Sequence, residues 1–257
     1  MMAKPTQRAA LLLALLGPAV AANLALAEEA NPAAQYEDCL LLAEAEPEAA
    51  FEAASAWRAL GGGAPAEHCA AVALFGLGHY NVAGERLENL ANKLNRQGEP
   101  HLSLTALAQA GQAWLLAENL ERAYAVQTAA LEIAPADAEL LVDRAVTLAA
   151  AENYGDALID LNRALELAPG RPDILIYRAS AQRYLDDLAA ALEDVDRALV
   201  LDPDNPEGLL ERGNLRRLEN DLAGARADWQ RAATLAEGLP TGDAAQANIA
   251  TLELGEE

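Results

Sequence analysis

Two cysteines and three histidines are the residues of this chain best suited to redox or metal chemistry, yet their spacing favours a structural bond. Cys39 and Cys69 stand far apart, without the close C-x-x-C spacing that announces a zinc or dithiol site. An even count reads first as a disulfide formed in an oxidising compartment. The alternatives are a thiol site built from Cys69 and its neighbour His68, or a metal site that adds His79. No G-x-x-x-x-G-K-[ST] phosphate loop, H-E-x-x-H zinc helix or G-x-S-x-G nucleophile elbow is present. Gly61-Gly62-Gly63 is followed by Ala-Pro-Ala rather than by lysine and a hydroxyl, so it reads as a break between helices. Carboxylates are plentiful, but on solvated helix faces nothing desolvates them for acid–base work. The expectation is a chain with no catalytic residue, no metal and no cofactor.

A second set of reactive groups recurs with a fixed spacing. Arg144 and Asp160, Arg178 and Asp194, and Arg212 and Asp228 share one separation within each pair, and the pairs follow one another at a constant step. One step earlier both charges vanish together, leaving Ala110 and Val126. A cation that comes and goes with one anion reads as half of a structural ion pair, since a partly buried charge needs a partner. Arg163, Arg197 and Arg231 stand three residues after the aspartates and could share them at i,i+3 spacing. The alternative is that Arg144, Arg178 and Arg212 face outward and bind an anionic ligand.

The elements that position these pairs share their period. Pro135, Pro169 and Pro203 are evenly spaced, at the step of roughly 34 residues that characterises a two-helix solenoid repeat. Leu107, Leu141, Leu175 and Leu209 form one ladder, and Gly111, Ala145, Ala179 and Gly213 a second. Ala123, Ala157, Ala191 and Ala225 form a third, and Ala130, Ala164, Ala198 and Ala232 a fourth. Small residues where helices cross let backbones approach closely, while leucines fill the space beside the crossing. Glu118-Asn119, Glu152-Asn153, Asp186-Asp187 and Asn220-Asp221 are polar turns placed to cap the second helix of each hairpin. Each proline then stops that helix, because it disfavours helical geometry in the preceding residue and has no amide hydrogen to donate. Asn205-Pro206 is a restart, an N-cap followed by proline at the first helical position.

With the segment Ala157-Leu158-Ile159-Asp160-Leu161-Asn162-Arg163-Ala164-Leu165-Glu166-Leu167-Ala168-Pro169, the chain resembles the tetratricopeptide-repeat family. The resemblance covers four units, 104–137, 138–171, 172–205 and 206–239, the last with Glu237 where proline is expected. A divergent unit and connector occupy 64–103, with Gly78, Tyr80 and Ala83 in family positions, and a degenerate helix pair occupies 28–63. Residues 240–257 supply a C-terminal capping helix and tail, of the solvating kind that repeat arrays need. The implied fold is all-α, a right-handed α-solenoid of helical hairpins. In such a solenoid Cys39 and Cys69 fall on the first helices of consecutive hairpins, where a bond would staple the N-terminal cap.

In this family the first helices line a concave groove, so the resemblance makes Gln112, Tyr177, Ser180, Arg183, Tyr184, Asn214 and Arg217 the candidate partner-binding residues. Tyrosine and arginine there offer stacking and bidentate hydrogen bonds, both common at interface hot spots. For Tyr177, packing on a neighbouring helix is an equal alternative. Some relatives grip a C-terminal carboxylate with lysines and asparagines. From Glu28 onward this chain has a single lysine, Lys93, outside the four clear units, so that clamp is absent.

Residues 1–27 read as a cleavable secretory signal, with Lys4 and Arg8, an apolar run from Ala9 to Leu16, and Ala25-Leu26-Ala27 before Glu28. The alternative, a membrane anchor, is disfavoured because Gly17, Pro18 and Asn23 interrupt a run already short of the roughly 20 residues that span a bilayer. The expectation is a periplasmic or secreted protein without stable membrane insertion. The formal charge of −22 becomes −24 once the two leader cations are removed, which argues against nucleic acid and anionic lipid surfaces. The acidity reads as solvation of helix faces, or as preparation for a basic partner. Together these features predict a scaffold that holds a protein or peptide in its groove. The second reading is an envelope assembly component that associates through convex or terminal surfaces, which leaves homo-oligomerisation open.

Overall fold

The computed structural model describes residues 31–255, and the leader expected at 1–27 lies outside them. Among the described residues there are thirteen helices and no strand. They are α1 (Pro32–Ala45), α2 (Pro47–Ala59), α3 (Gly63–Gly76), α4 (Tyr80–Arg96), α5 (Pro100–Leu116), α6 (Leu120–Ile133) and α7 (Ala138–Ala150), followed by α8 (Tyr154–Leu167), α9 (Pro172–Tyr184), α10 (Leu188–Leu201), α11 (Pro206–Leu218), α12 (Leu222–Leu235) and α13 (Pro240–Gly255). None of them is long and apolar enough to cross a membrane.

Consecutive helices pair as antiparallel hairpins stacked in chain order, so the fold is an all-α solenoid. Every hairpin of the four clear units turns on the same device. Glu118, Glu152, Asp186 and Asn220 each adopt a left-handed backbone, with φ of 57°, 59°, 65° and 67°. Gly78 and Gly98 occupy the corresponding place in the earlier connections. The next residue's amide reaches back to the first helix, as in Asn119 N–H to the Trp114 carbonyl at 2.9 Å and Asp221 N–H to the Arg216 carbonyl at 2.8 Å. These bonds satisfy carbonyls that the helix end leaves open. Asn119, Asp187 and Asp221 then cap α6, α10 and α12 through their side chains. Asn153 differs from the expected pattern, because its amide donates to Asp156 at 2.7 Å and makes no cap.

The ladders of small residues lie at the helix crossings and are buried throughout. Their size follows the residue at the matching position of the second helix. A Cβ on Gly213 would sit 2.4 Å from the indole of Trp229, and one on Gly111 would sit 2.7 Å from Gln127. Where the second helix carries Leu161 or Val195, alanine is accommodated as Ala145 and Ala179. Ser103, Ala91 and Leu94 extend this packing into the earlier hairpins, with the Ser103 hydroxyl donating to the Ala91 carbonyl. At the other end, α13 covers α12 and α11 with buried Ala245 and half-buried Asn248, Ile249 and Leu252.

Candidate partner-binding groove

Successive first helices touch one another from α5 to α7, α9 and α11, whereas the second helices make no comparable contacts among themselves. The stack therefore bends toward its first helices, and their outward faces form the concave side. Helical geometry puts residues three or four apart on one such face. On α9 that brings Tyr177, Ser180, Arg183 and Tyr184 together.

The Arg–Asp sites lie behind this face. Each arginine forms a two-pronged pair, with Arg178 Nε and Nη2 donating to the Asp194 carboxylate at 2.6 Å each. The Arg144–Asp160 and Arg212–Asp228 bonds are all 2.8 Å. The aspartates are buried. The third guanidinium nitrogen reaches the second helix of the preceding hairpin, at Thr128, Asn162 and Asp196 respectively. Each arginine thus joins three helices, a role its own hairpin could not announce.

The sharing that i,i+3 spacing allows occurs once. Arg197 approaches Asp194 at 3.4 Å, while Arg163 pairs with Glu166 and Arg231 with Asp204. Those two arginines lie on the exposed side of their helices and find a solvent-facing carboxylate there without desolvation. Asp228 takes its additional cation from Arg216, at 2.7 Å.

The groove candidates divide into committed and open groups. Arg183 is held by Glu211 at 2.6 and 3.2 Å and lies over the Tyr184 ring, 4.4 Å from its centre. Asn214 accepts from Trp229 Nε1 at 3.2 Å and from Asn248 of α13 at 2.9 Å, so the terminal helix engages it. Ser180 touches Arg183 at 3.5 Å. Gln112, Tyr177, Tyr184 and Arg217 are exposed. The Tyr184 ring stacks on Tyr154, with centroids 4.3 Å apart and planes 2° from parallel. Tyr154 begins the second helix of the preceding hairpin and is not among the residues that sequence reasoning singles out. Its only signal is a tyrosine where Leu120, Leu188 and Leu222 stand in the other units.

Between α7 and α9 the stacked rings help line a hollow of ≈ 140 Å³, together with residues that include Ala145, Val146, Ala149, Tyr177 and Ser180. One turn before Val146 on α7 is Asp143, whose carboxyl is pushed up to about 6. Burial is the main cause, Glu139 adds to it, the Gln112 amide partly opposes it and Asp137 contributes further. Burial likewise raises the Tyr177 hydroxyl, helped by Asp173, Glu207 and Asp143.

At the N-terminal end, Cys39 of α1 and Cys69 of α3 are joined in a disulfide, with Cα atoms 6.1 Å apart. His68 is therefore not part of a thiol site. It lies in a hydrogen-bonded chain from Tyr36 through its ring, at 2.7 Å, to Gln109 at 2.5 Å. Burial holds its pKa below the usual histidine range, against the opposing hydrogen bond to Gln109. Among the described residues no group of three or more His, Cys, Asp or Glu is placed to hold a metal ion.

Hairpins repeating at one constant step, with Gly or Ala at each crossing and first helices on the inner side, decide the architecture. The fold is that of a tetratricopeptide-repeat solenoid. No family model and no curated protein matches the chain. Among solved structures, the first TPR of Spaghetti (RPAP3) bound to an HSP90 peptide is similar at 24% identity and a TM-score of 0.43, over 47% of this chain and 93% of that one. The second TPR domain of human RPAP3, in complex with an HSP70 peptide, is similar at 24% identity and a TM-score of 0.44, over 46% and 98%. MamA from Desulfovibrio magneticus RS-1 is similar at 19% identity and a TM-score of 0.48, over 59% and 94%.

Proposed function

We propose that this tetratricopeptide solenoid is an exported scaffold, periplasmic or secreted, that binds a protein or peptide partner in its concave groove and carries no catalysis of its own. The observation that carries the reading is the exposed aromatic face of α9, where Tyr177 and Tyr184 are 44% and 56% exposed and line an apolar hollow. Large aromatic side chains left open on a rigid helix give contact area at little entropic cost, which is why they recur at interface hot spots. Export is supported by the leader-like segment and by a disulfide of the kind that persists in oxidising compartments.

A photo-crosslinking amino acid placed at Tyr184, with another at Ile159 on α8 as the outer-surface control, tests the groove in intact cells. The expected result is a discrete protein adduct from position 184 that is lost when Tyr177 is also changed to Ala. Adducts from position 159 alone would favour association through the outer surface and overturn the groove reading. Fractionation of the same cells tests export, which fails if the full-length, unprocessed chain stays with the cytoplasm.

A further inference from the structure

The groove around α9 has an electrostatic asymmetry that names its occupant. Its cations are largely spent: Arg171 is bound by Glu139 and Asp173, and Arg183 by Glu211. Asp143 is the reverse case, a half-buried carboxylate on the groove face with no cation in ion-pair contact among the described residues. The groups acting on it are Gln112 from α5 and Glu139 and Asp137 from its own helix and cap, and its charge reaches Tyr177 of α9, whose other charged neighbours are Asp173, Glu207 and Arg171. Arg144, its chain neighbour, turns away to Asp160.

Asp143 does not itself line the apolar hollow, but it lies one turn before Val146 on α7 and its charge reaches Tyr177, two residues that do. The hollow's ≈ 140 Å³ is well below the roughly 300–1,000 Å³ of small-molecule pockets and suits a single side chain. The exposed ring of Tyr177 also favours a cation, through the negative potential of its aromatic face, whereas the Tyr184 ring is already covered by Tyr154 and Arg183.

We propose that the hollow between α7 and α9 receives a basic segment of the partner, seating an apolar or aromatic side chain against Tyr177 and Tyr184 and an adjacent lysine or arginine on Asp143. This deepens the groove reading and rests on it. A chain with 18 basic and 40 acidic residues attracts such a segment from a distance, and the unpaired carboxylate sets where its charge stops. The carboxylate is also poised to sense acid. Because its pKa stands at about 6, protonation removes the anion as pH falls through that value, and a bound cation would draw the titration lower.

Fluorescence anisotropy with the purified protein and two labelled Gly/Ser peptides of equal length, one with a central Lys–Leu and the other Glu–Leu, tests the proposal. The Lys–Leu peptide is expected to bind at least about tenfold more tightly, with Asp143→Asn reducing the preference to about threefold or less. Lowering the pH from about 8 to about 5 should weaken Lys–Leu binding by about fivefold in the native chain and leave Asp143→Asn nearly unchanged. Tyr184→Ala should weaken both peptides. No Lys–Leu binding, equal binding of the two peptides, or preference for Glu–Leu directed to exposed Arg217, overturns the basic-segment proposal. If charge preference is absent but Tyr184→Ala still weakens binding, only this proposal falls. Binding insensitive to both substitutions takes the groove reading down with it.

Discussion

The hairpin α9–α10 and the N-terminal pair α1–α2 face the same problem, how to fix one helical hairpin against the next, and solve it with different chemistry. In α9–α10 the core is bulky, with Ile174, Leu175, Ile176, Val195 and Leu199 buried beside the Arg178–Asp194 pair. In α1–α2 the buried residues are Cys39, Ala43, Ala50 and Ala54, too small to remove much apolar surface from water. There the covalent bond to Cys69 adds to the packing of half-buried Leu40 and Phe51 against these small residues. Among the described residues α1–α2 has a neighbouring hairpin on one side only, where an internal repeat draws on two interfaces. The hairpin α5–α6 makes a third case. With Ala110 and Val126 buried where other units keep arginine and aspartate, it shows that the fold does not require the ion pair.

The largest expected effect breaks the α9 side of this comparison. Asp194→Ala leaves a guanidinium at a crossing without its main partner and should cost about 3 kcal/mol in urea unfolding. The double change Arg178→Ala/Asp194→Val, which copies α5–α6, should recover at least half of that. If the double variant is as unstable as the single one, the ion pair does more than satisfy its own burial.

Removing the staple comes next. Cys39→Ser/Cys69→Ser should lower local stability by about 3 kcal/mol, since the bond closes a separation of 30 residues. Hydrogen exchange should show the loss in α1–α3 and leave α9–α12 protected, because each repeat communicates mainly with its neighbours. A loss spreading to α12 would erase the distinction between the two ends.

Asp143→Asn works in the stabilising direction. A carboxyl raised from 3.8 to about 6 gives its full stability in acid, and loses it as pH rises through the folded value. Thermal unfolding near pH 4 should therefore find the variant and native chains alike. At about pH 8 the variant should be more stable by about 1 kcal/mol, the shift being discounted for the partial exposure of the group. Equal stability at both ends would mean that Asp143 carries no strain for a partner to relieve. The smallest effect is at the turns, where Glu152→Gly should stabilise by about 0.5 kcal/mol by relieving the left-handed backbone at φ 59°.

Much of the scaffold was readable from single residues because each repeat states it again. The left-handed turn position is Glu118, Glu152, Asp186 and Asn220, and in three of the four units a side-chain cap follows one residue later, at Asn119, Asp187 and Asp221. The Arg–Asp pairing showed in the joint change to Ala110 and Val126, which needs no structure to notice. The groove was less legible. Arg183 and Asn214 have the right residue types on the right face, but Glu211, Trp229 and Asn248 reach them first. Tyr154 lies on a second helix and would be placed on the outer side by position alone, yet its ring extends over the groove to Tyr184.

The period, the hairpins, their turns, and the pairing of Cys39 with Cys69 followed from residue types and spacing, because they depend on interactions within one repeat or between adjacent repeats in fixed register. Which side chains remain open was settled only in three dimensions. That outcome depends on competition among side chains from three or four helices for the same partner, over small differences in reach. Among the described residues no cation pairs with Asp143, because Arg144 turns toward Asp160 and Arg171 toward Glu139 and Asp173. Spacing along the chain places those charges near one another, and only the packed helices determine which of them meet.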